Sequence, residues 1–183
     1  MRMNEGEHEE WLRLALEEAR SAGAAGDVPV GAVIVHDGVV IGRGQNRVER
    51  LRDPTAHAEM LAIREASSSL GYERLAGATI YVTLEPCAMC AGAIVLARLD
   101  ELVYGADDPK TGACGSLRDI VRDTRLNHQV AVTRGVLAET CSGLLKEFFR
   151  AKRGTGETGG SGSTDGPGDT AVEPRLPERC ESG

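Results

Sequence analysis

Two short segments, His57-Ala58-Glu59 and Pro86-Cys87-Ala88-Met89-Cys90, constrain this chain more than any other part of it. One imidazole and two thiols are three soft ligands for a zinc ion. Three protein ligands leave a fourth position open for water, which separates a catalytic zinc site from a closed structural one. Cys87 and Cys90 are three apart, so on a helix they share a face and can grip one ion. His57 and Glu59, two apart, would diverge in mid-helix. At a first turn the metal can lie beyond the helix end, and the Glu59 carboxylate can reach its water. The spacing therefore predicts His57 and Cys87 each as the second residue of a helix. The two helix starts should face one another, their partial positive charge favouring thiolate.

Other readings of these residues exist. Cys87 and Cys90 alone would suit a redox dithiol, but that leaves His57-x-Glu59 without a purpose. A zinc clip that only stabilises the fold needs a fourth protein ligand, and Cys114 is the one spare candidate nearby. Of the remaining cysteines among the five, Cys141 falls on an apolar helical stripe and Cys180 near the end of the chain.

The rest of the chain alternates strands and helices. His8 to about Ala25 is amphipathic, with Trp11, Leu12, Ala15, Leu16 and Ala19 on one side. Gly31–His36 and Val39–Gly44 are apolar runs separated by Asp37-Gly38, a signal for a two-residue type I′ hairpin. Thr55 is placed to cap a helix over Ala56–Ser67, and Pro86 suits the first turn of another. Thr79–Leu84, Glu101–Gly105 and Val130–Val136 complete five strands. A last helix starts near Ala138 and carries Cys141, Leu144, Leu145, Phe148 and Phe149 at helical spacing. This order implies an α/β domain layered around one mostly buried sheet. The zinc-bearing domain is expected over residues 1–153. Residues 154–183 are Gly-rich and acidic, cannot bury enough surface to offset their chain entropy, and are expected to be disordered.

With 183 residues and 41% hydrophobic content, the chain fits one soluble domain. No apolar run approaches the ~20 residues that span a bilayer. The acidic N-terminus lacks a signal-peptide layout, so the expected place is the cytoplasm, and no membrane is expected as a partner. The formal net charge of −7 looks wrong for a nucleic-acid binder. Residues 154–183, however, hold six acids against two arginines, and six glutamates lie between Glu5 and Glu18. Basic residues gather instead at Arg43, Arg47, Arg50 and Arg52, and at Lys146, Arg150, Lys152 and Arg153. Solvated surface charge explains these as readily as RNA contact does. Any RNA contact should be with a short segment.

The pattern H-x-E…P-C-x-x-C is the signature of zinc-dependent base deaminases. The segments DPTAHAEM, TLEPCAMCAGAI and KTGACGS, with the ending EFFRAKR, resemble bacterial tRNA-specific adenosine deaminases of the cytidine/deoxycytidylate deaminase superfamily, over about Glu9–Arg153. The resemblance implies a cytidine-deaminase-like three-layer α/β/α fold with a five-stranded mixed sheet, one zinc ion per subunit and a homodimer. It also implies conversion of the anticodon wobble adenosine to inosine in the anticodon stem-loop of a tRNA, an arginine tRNA with an ACG anticodon. His57, Cys87 and Cys90 would hold the metal, whose water becomes a hydroxide nucleophile. Glu59 would carry the protons. Asn46 would hold the purine, although an Asn in a turn also commonly bonds its own backbone. Val28 and Pro29 would line the pocket, within the stretch Asp27–Val30.

Asp108 and Lys110 match the family pattern, whereas Asp107 and Pro109 replace an arginine and an alanine. The extra acid puts local RNA contacts in doubt. Phe148 and Phe149 both fit a core stripe, but adjacent helical residues point about 100° apart. One of them can therefore meet an unstacked base, with Arg150 beside it for phosphate. Two rival functions remain. A free-base or nucleoside deaminase acting on guanine or cytosine would not need the FFRAKR ending or the arginines around Asn46. A non-catalytic zinc-bearing binding subunit would not need Glu59.

Overall fold

The computed structural model describes residues 5–155. Its strands are β1 (Gly31–His36), β2 (Val39–Gln45), β3 (Thr79–Leu84), β4 (Glu101–Ala106) and β5 (Ala131–Arg134). Its helices are α1 (Glu5–Ala24), α2 (Val48–Leu51), α3 (Ala58–Leu70), α4 (Ala88–Leu96) and α5 (Ala138–Thr155). The strands make one sheet in the order β2-β1-β3-β4-β5. β1 runs antiparallel to β2 and to β3, while β3, β4 and β5 are parallel. This is the expected five-stranded mixed sheet. Asp37 and Gly38 take φ of 48° and 73°, the positive pair that a type I′ hairpin requires.

Strand alternation divides the core in two. Ala32, Ile34, Ile80, Val82, Leu102 and Tyr104 face a cluster with Ala58, Ala62, Ala66, Ala91 and Ile94 of α3 and α4. Val33, Val35, Tyr81 and Val103 face Leu12, Ala15 and Leu16 of α1 and Cys141 of α5. Three layers follow from that division. On the first side, α3 lies unusually close to β2. A β-carbon on Gly44 would overlap the Ala58 carbonyl, and one on Gly42 the Ala62 carbonyl. Glycine against alanine brings the start of α3 down onto the sheet, and His57 is carried with it.

Both site helices begin two residues later than the spacing predicts. α3 starts at Ala58 and α4 at Ala88, so His57 and Cys87 are N-caps with extended backbone (ψ 153° and 175°). The carbonyls expected to open the helices are taken by tertiary bonds. Arg47 N–H donates to Ala56 O at 3.0 Å and Ala113 N–H to Pro86 O at 2.9 Å. Thr55 does not cap α3, because its N–H and hydroxyl both donate to Asp53 Oδ1. β5 is shorter than expected, since Gly135, at φ 84°, turns the chain away after Arg134. The one-turn α2 was not foreseen. α5 ends at Thr155, and from residue 156 onward the expected tail lies outside the described residues.

Candidate active site

The two helix starts converge as the spacing required. His57 Nδ1 lies 3.7 Å from Cys87 Sγ and 3.6 Å from Cys90 Sγ, and all three donor atoms fall within 4.8 Å of one another. Zinc held tetrahedrally, with bonds of about 2.0–2.1 Å to nitrogen and 2.3 Å to sulfur, places N and S about 3.6 Å apart. The donor set fits that ion. Cys87 is the N-cap of α4 and Cys90 stands three residues on, so both thiols sit around the open N–H groups of one helix start.

The electrostatics agree with a cation site. Hydrogen bonds with Cys90 and His57 hold the Cys87 thiol down at about 3. The bond to Cys87, together with burial, pushes Cys90 up. The two thiols thus share one proton, and a dication between them removes the reason for keeping it. The bond with Cys87 also raises His57, against the pull of burial. Glu59, 4% exposed in the first turn of α3, is raised by burial above the ordinary carboxylate value.

These groups open onto a cavity of about 240 Å³, large enough for one nucleobase. Val28, Asn46, His57, Glu59, Cys87 and Asp108 line it together with Glu85 and Thr111. Pro29 and Lys110 are not in the lining: Pro29 is buried and Lys110 exposed. Phe148, Phe149 and Arg150 lie on α5, outside the cavity lining. Phe149 is 43% exposed, its ring edge-on to Phe148 at 5.5 Å, and Lys152 Nζ stands 5.1 Å over the Phe148 ring.

Two buried carboxylates organise the cavity, and sequence reasoning missed both roles. Glu85 accepts the N–H groups of Asp108, Cys114 and Ser116 at 3.0, 3.0 and 2.9 Å, and the Ser116 hydroxyl as well. Burial pulls its pKa upward, but these four bonds outweigh it and the net shift is downward. It thereby pins the loop whose Asp108 and Thr111 form one wall. Asp27, wholly buried, accepts Arg50 Nε at 2.5 Å and the Glu49 N–H at 2.8 Å. Arg50 Nη2 in turn donates to the Asn46 carbonyl at 3.3 Å. Asn46 itself donates its N–H to Val30 O and its Nδ2 to Val28 O, at 2.9 and 3.2 Å. Two backbone bonds and one side-chain bond hold Asn46 at the cavity wall. The only available signals were an acid beside P-C-x-x-C and an acid in a Gly-Asp turn.

The model of the MafB19-like deaminase family matches residues 6–153. A tRNA-specific adenosine deaminase from Bacillus subtilis (strain 168) is 50% identical over 143 residues, 78% of this chain and 89% of the relative. A structure from a study of A-to-I editing by tRNA:A34 deaminases at the wobble position of transfer RNA is 49% identical, with a TM-score of 0.72. The match covers 74% of this chain and 99% of that one. A guanine deaminase from Nitrosomonas europaea superposes with a TM-score of 0.68 at 27% identity, over 76% of this chain and 83% of the other. The fold, the family model and the identity agree: this chain belongs to the MafB19-like deaminase family, with relatives named tRNA-specific adenosine deaminase at about half identity.

Proposed function

We propose that the protein deaminates adenosine to inosine hydrolytically at the wobble position of a tRNA anticodon, as a cytoplasmic homodimer with one zinc ion per subunit. The observation that carries this reading is the meeting of the His57–Cys87–Cys90 donor set, the buried Glu59 and Asn46 on one base-sized cavity. About 50% identity to relatives named for that activity supports the substrate class.

A zinc ion bound there would bring the pKa of its water to near neutrality. Glu59 would accept the proton of the water that adds to the ring carbon bearing the amino group. It delivers that proton to the ring nitrogen and then assists the departure of ammonia. Burial raises its pKa above the ordinary carboxylate value, which strengthens it as a proton acceptor. The Asn46 amide holds the purine edge, with Val28 and Asp108 at the walls and Pro29 behind them. Lys110, Arg150 and one of Phe148 and Phe149 serve the anticodon loop, by phosphate contact and by stacking. For the homodimer, α4 exposes an apolar face on which Leu96 is 75% exposed. Free cysteines at 87, 90, 114 and 141 suit a reducing compartment.

A free-base reading is favoured by one observation, the likeness to the guanine deaminase. The two are separated by incubating the protein with an arginine tRNA bearing an ACG anticodon, and separately with guanine, cytosine and adenosine. Inosine at the wobble position is the expected product. Ammonia from a free base, with the tRNA unmodified, overturns the tRNA reading.

A further inference from the structure

Tyr104, near the end of β4, is fully buried, and its hydroxyl is the one buried side-chain polar atom without a hydrogen-bond partner among the described residues. Such a group ordinarily has a partner, so an orphan points to something that binds it. Two guanidinium groups stand beside it. From the point where a β-carbon would stand on Gly115, the nearest heavy atoms are Arg122 Nη2 at 3.6 Å, the Tyr104 hydroxyl at 3.6 Å and Arg134 Nη1 at 3.8 Å. Gly115 has φ 146° and is exposed, so no side chain of its own fills the space beside these groups.

We infer that Tyr104, Arg122 and Arg134 form a binding site for a tetrahedral oxyanion, a phosphate group, beside Gly115. Two guanidinium groups brought to one point repel each other unless an anion lies between them, and their fork of donors matches phosphate oxygens. Asp119 offsets part of the charge by holding Arg122 at 2.7 Å. Arg134 forms no ion pair within 4.0 Å among the described residues. Of the other acids whose charge reaches Tyr104, Glu85 is already occupied by four protein donors and Asp107 is exposed to solvent. Burial, with the charges of Glu85 and Asp107, pushes the Tyr104 pKa up to about 12 against the opposing pull of the neighbouring Arg134 guanidinium, so the hydroxyl keeps its proton to donate.

The site stands on the rim formed by the C-terminal ends of the parallel strands, where α/β sheets bind ligands. Gly115 lies between Cys114 and Ser116, whose N–H groups Glu85 holds, and Glu85 lines the catalytic cavity. The phosphate is therefore either free orthophosphate or part of a nucleotide next to the base in the cavity. Only the second source rests on the tRNA reading.

The test uses the zinc-loaded full chain, with Tyr104→Phe and Arg134→Ala, both checked for zinc content. Sodium phosphate, titrated against chloride at constant ionic strength, should raise the melting temperature of the parent protein, and both variants should lose that shift. No phosphate-specific shift in the parent, or an equal shift in both variants, overturns the site. An anticodon stem-loop binding series then identifies the source. A salt slope about 1 shallower in Arg134→Ala assigns the site to an RNA phosphate. An unchanged slope alongside the phosphate shift assigns it to the free anion. Failure of the parent to deaminate tRNA would sink the tRNA reading and leave the phosphate titration valid.

Discussion

Glu85 holds Ser116 twice, through the backbone N–H at 2.9 Å from one carboxylate oxygen and through the hydroxyl on the other. The remaining capacity of the same carboxylate goes to Asp108 and Cys114. A loop that belongs to no helix or strand is thereby fixed against the end of β3, two residues before Cys87. An alanine at Gly112 would overlap this carboxylate, so the loop is also packed tightly over it.

The depressed pKa of Glu85 has a consequence for acid stability. A carboxyl with a folded value below its ordinary 4.5 stabilises the fold fully above that pH, and loses the contribution as pH falls through the folded value. Glu85→Gln should therefore destabilise the protein at pH 7, by about 1–3 kcal/mol for bonds to a charged acceptor. The gap from the parent should close below pH 4.5. Urea midpoints measured across pH 3–7 check this; a gap independent of pH would remove the charge from the account.

Loss of Glu59 should separate metal binding from chemistry. Glu59→Ala is expected to keep the zinc content of the parent and to lose about 10²–10⁴-fold in deamination rate. Metal analysis beside an inosine assay reads both quantities. Near-normal turnover by the zinc-loaded variant would take Glu59 out of the mechanism.

Gly44→Ala should disturb the metal site from a distance. Its new methyl meets the Ala58 carbonyl, so α3 must lift and carry His57 away from the two thiols. The expected cost is about 1–3 kcal/mol of stability, with weaker zinc retention against a chelator. Gly143→Ala is the control, because a β-carbon there meets nothing within 4 Å. In a helix interior it should gain about 0.5–1 kcal/mol.

Leu96→Glu addresses assembly. Leu96 is 75% exposed on α4, whose other side is core. If this face joins two copies, the charge should shift sedimentation from dimer to monomer while zinc content stays the same. A parent protein that sediments as a monomer would remove the homodimer from the proposal.

Much of this protein is legible in its order of residues. The apolar run Gly31–His36 and the β-rich run Thr79–Leu84 are strands with those bounds, because both of their faces are buried between the two cores. Asp37-Gly38 encodes its turn in its own backbone angles. The metal donors are legible because their spacing, i and i+3 in one case and i and i+2 at a helix start in the other, has few geometric solutions. The exact helix starts were misread by two residues. The bonds that displaced them come from Arg47 and Ala113, distant in sequence from the helix starts, and leave no local pattern.

The sequence by itself thus determined the five strands, their alternation with helices and the convergence of His57, Cys87 and Cys90, all of them consequences of short-range patterning and ligand spacing. Only the tertiary structure decided what surrounds them. The partners of Glu85 lie 23 to 31 residues away, the Asp27 carboxylate meets Arg50 across 23, and the donors beside Gly115 come from β4, β5 and the loop between them. A buried charge takes its role from whatever donors the fold brings to it, and no spacing along the chain records that.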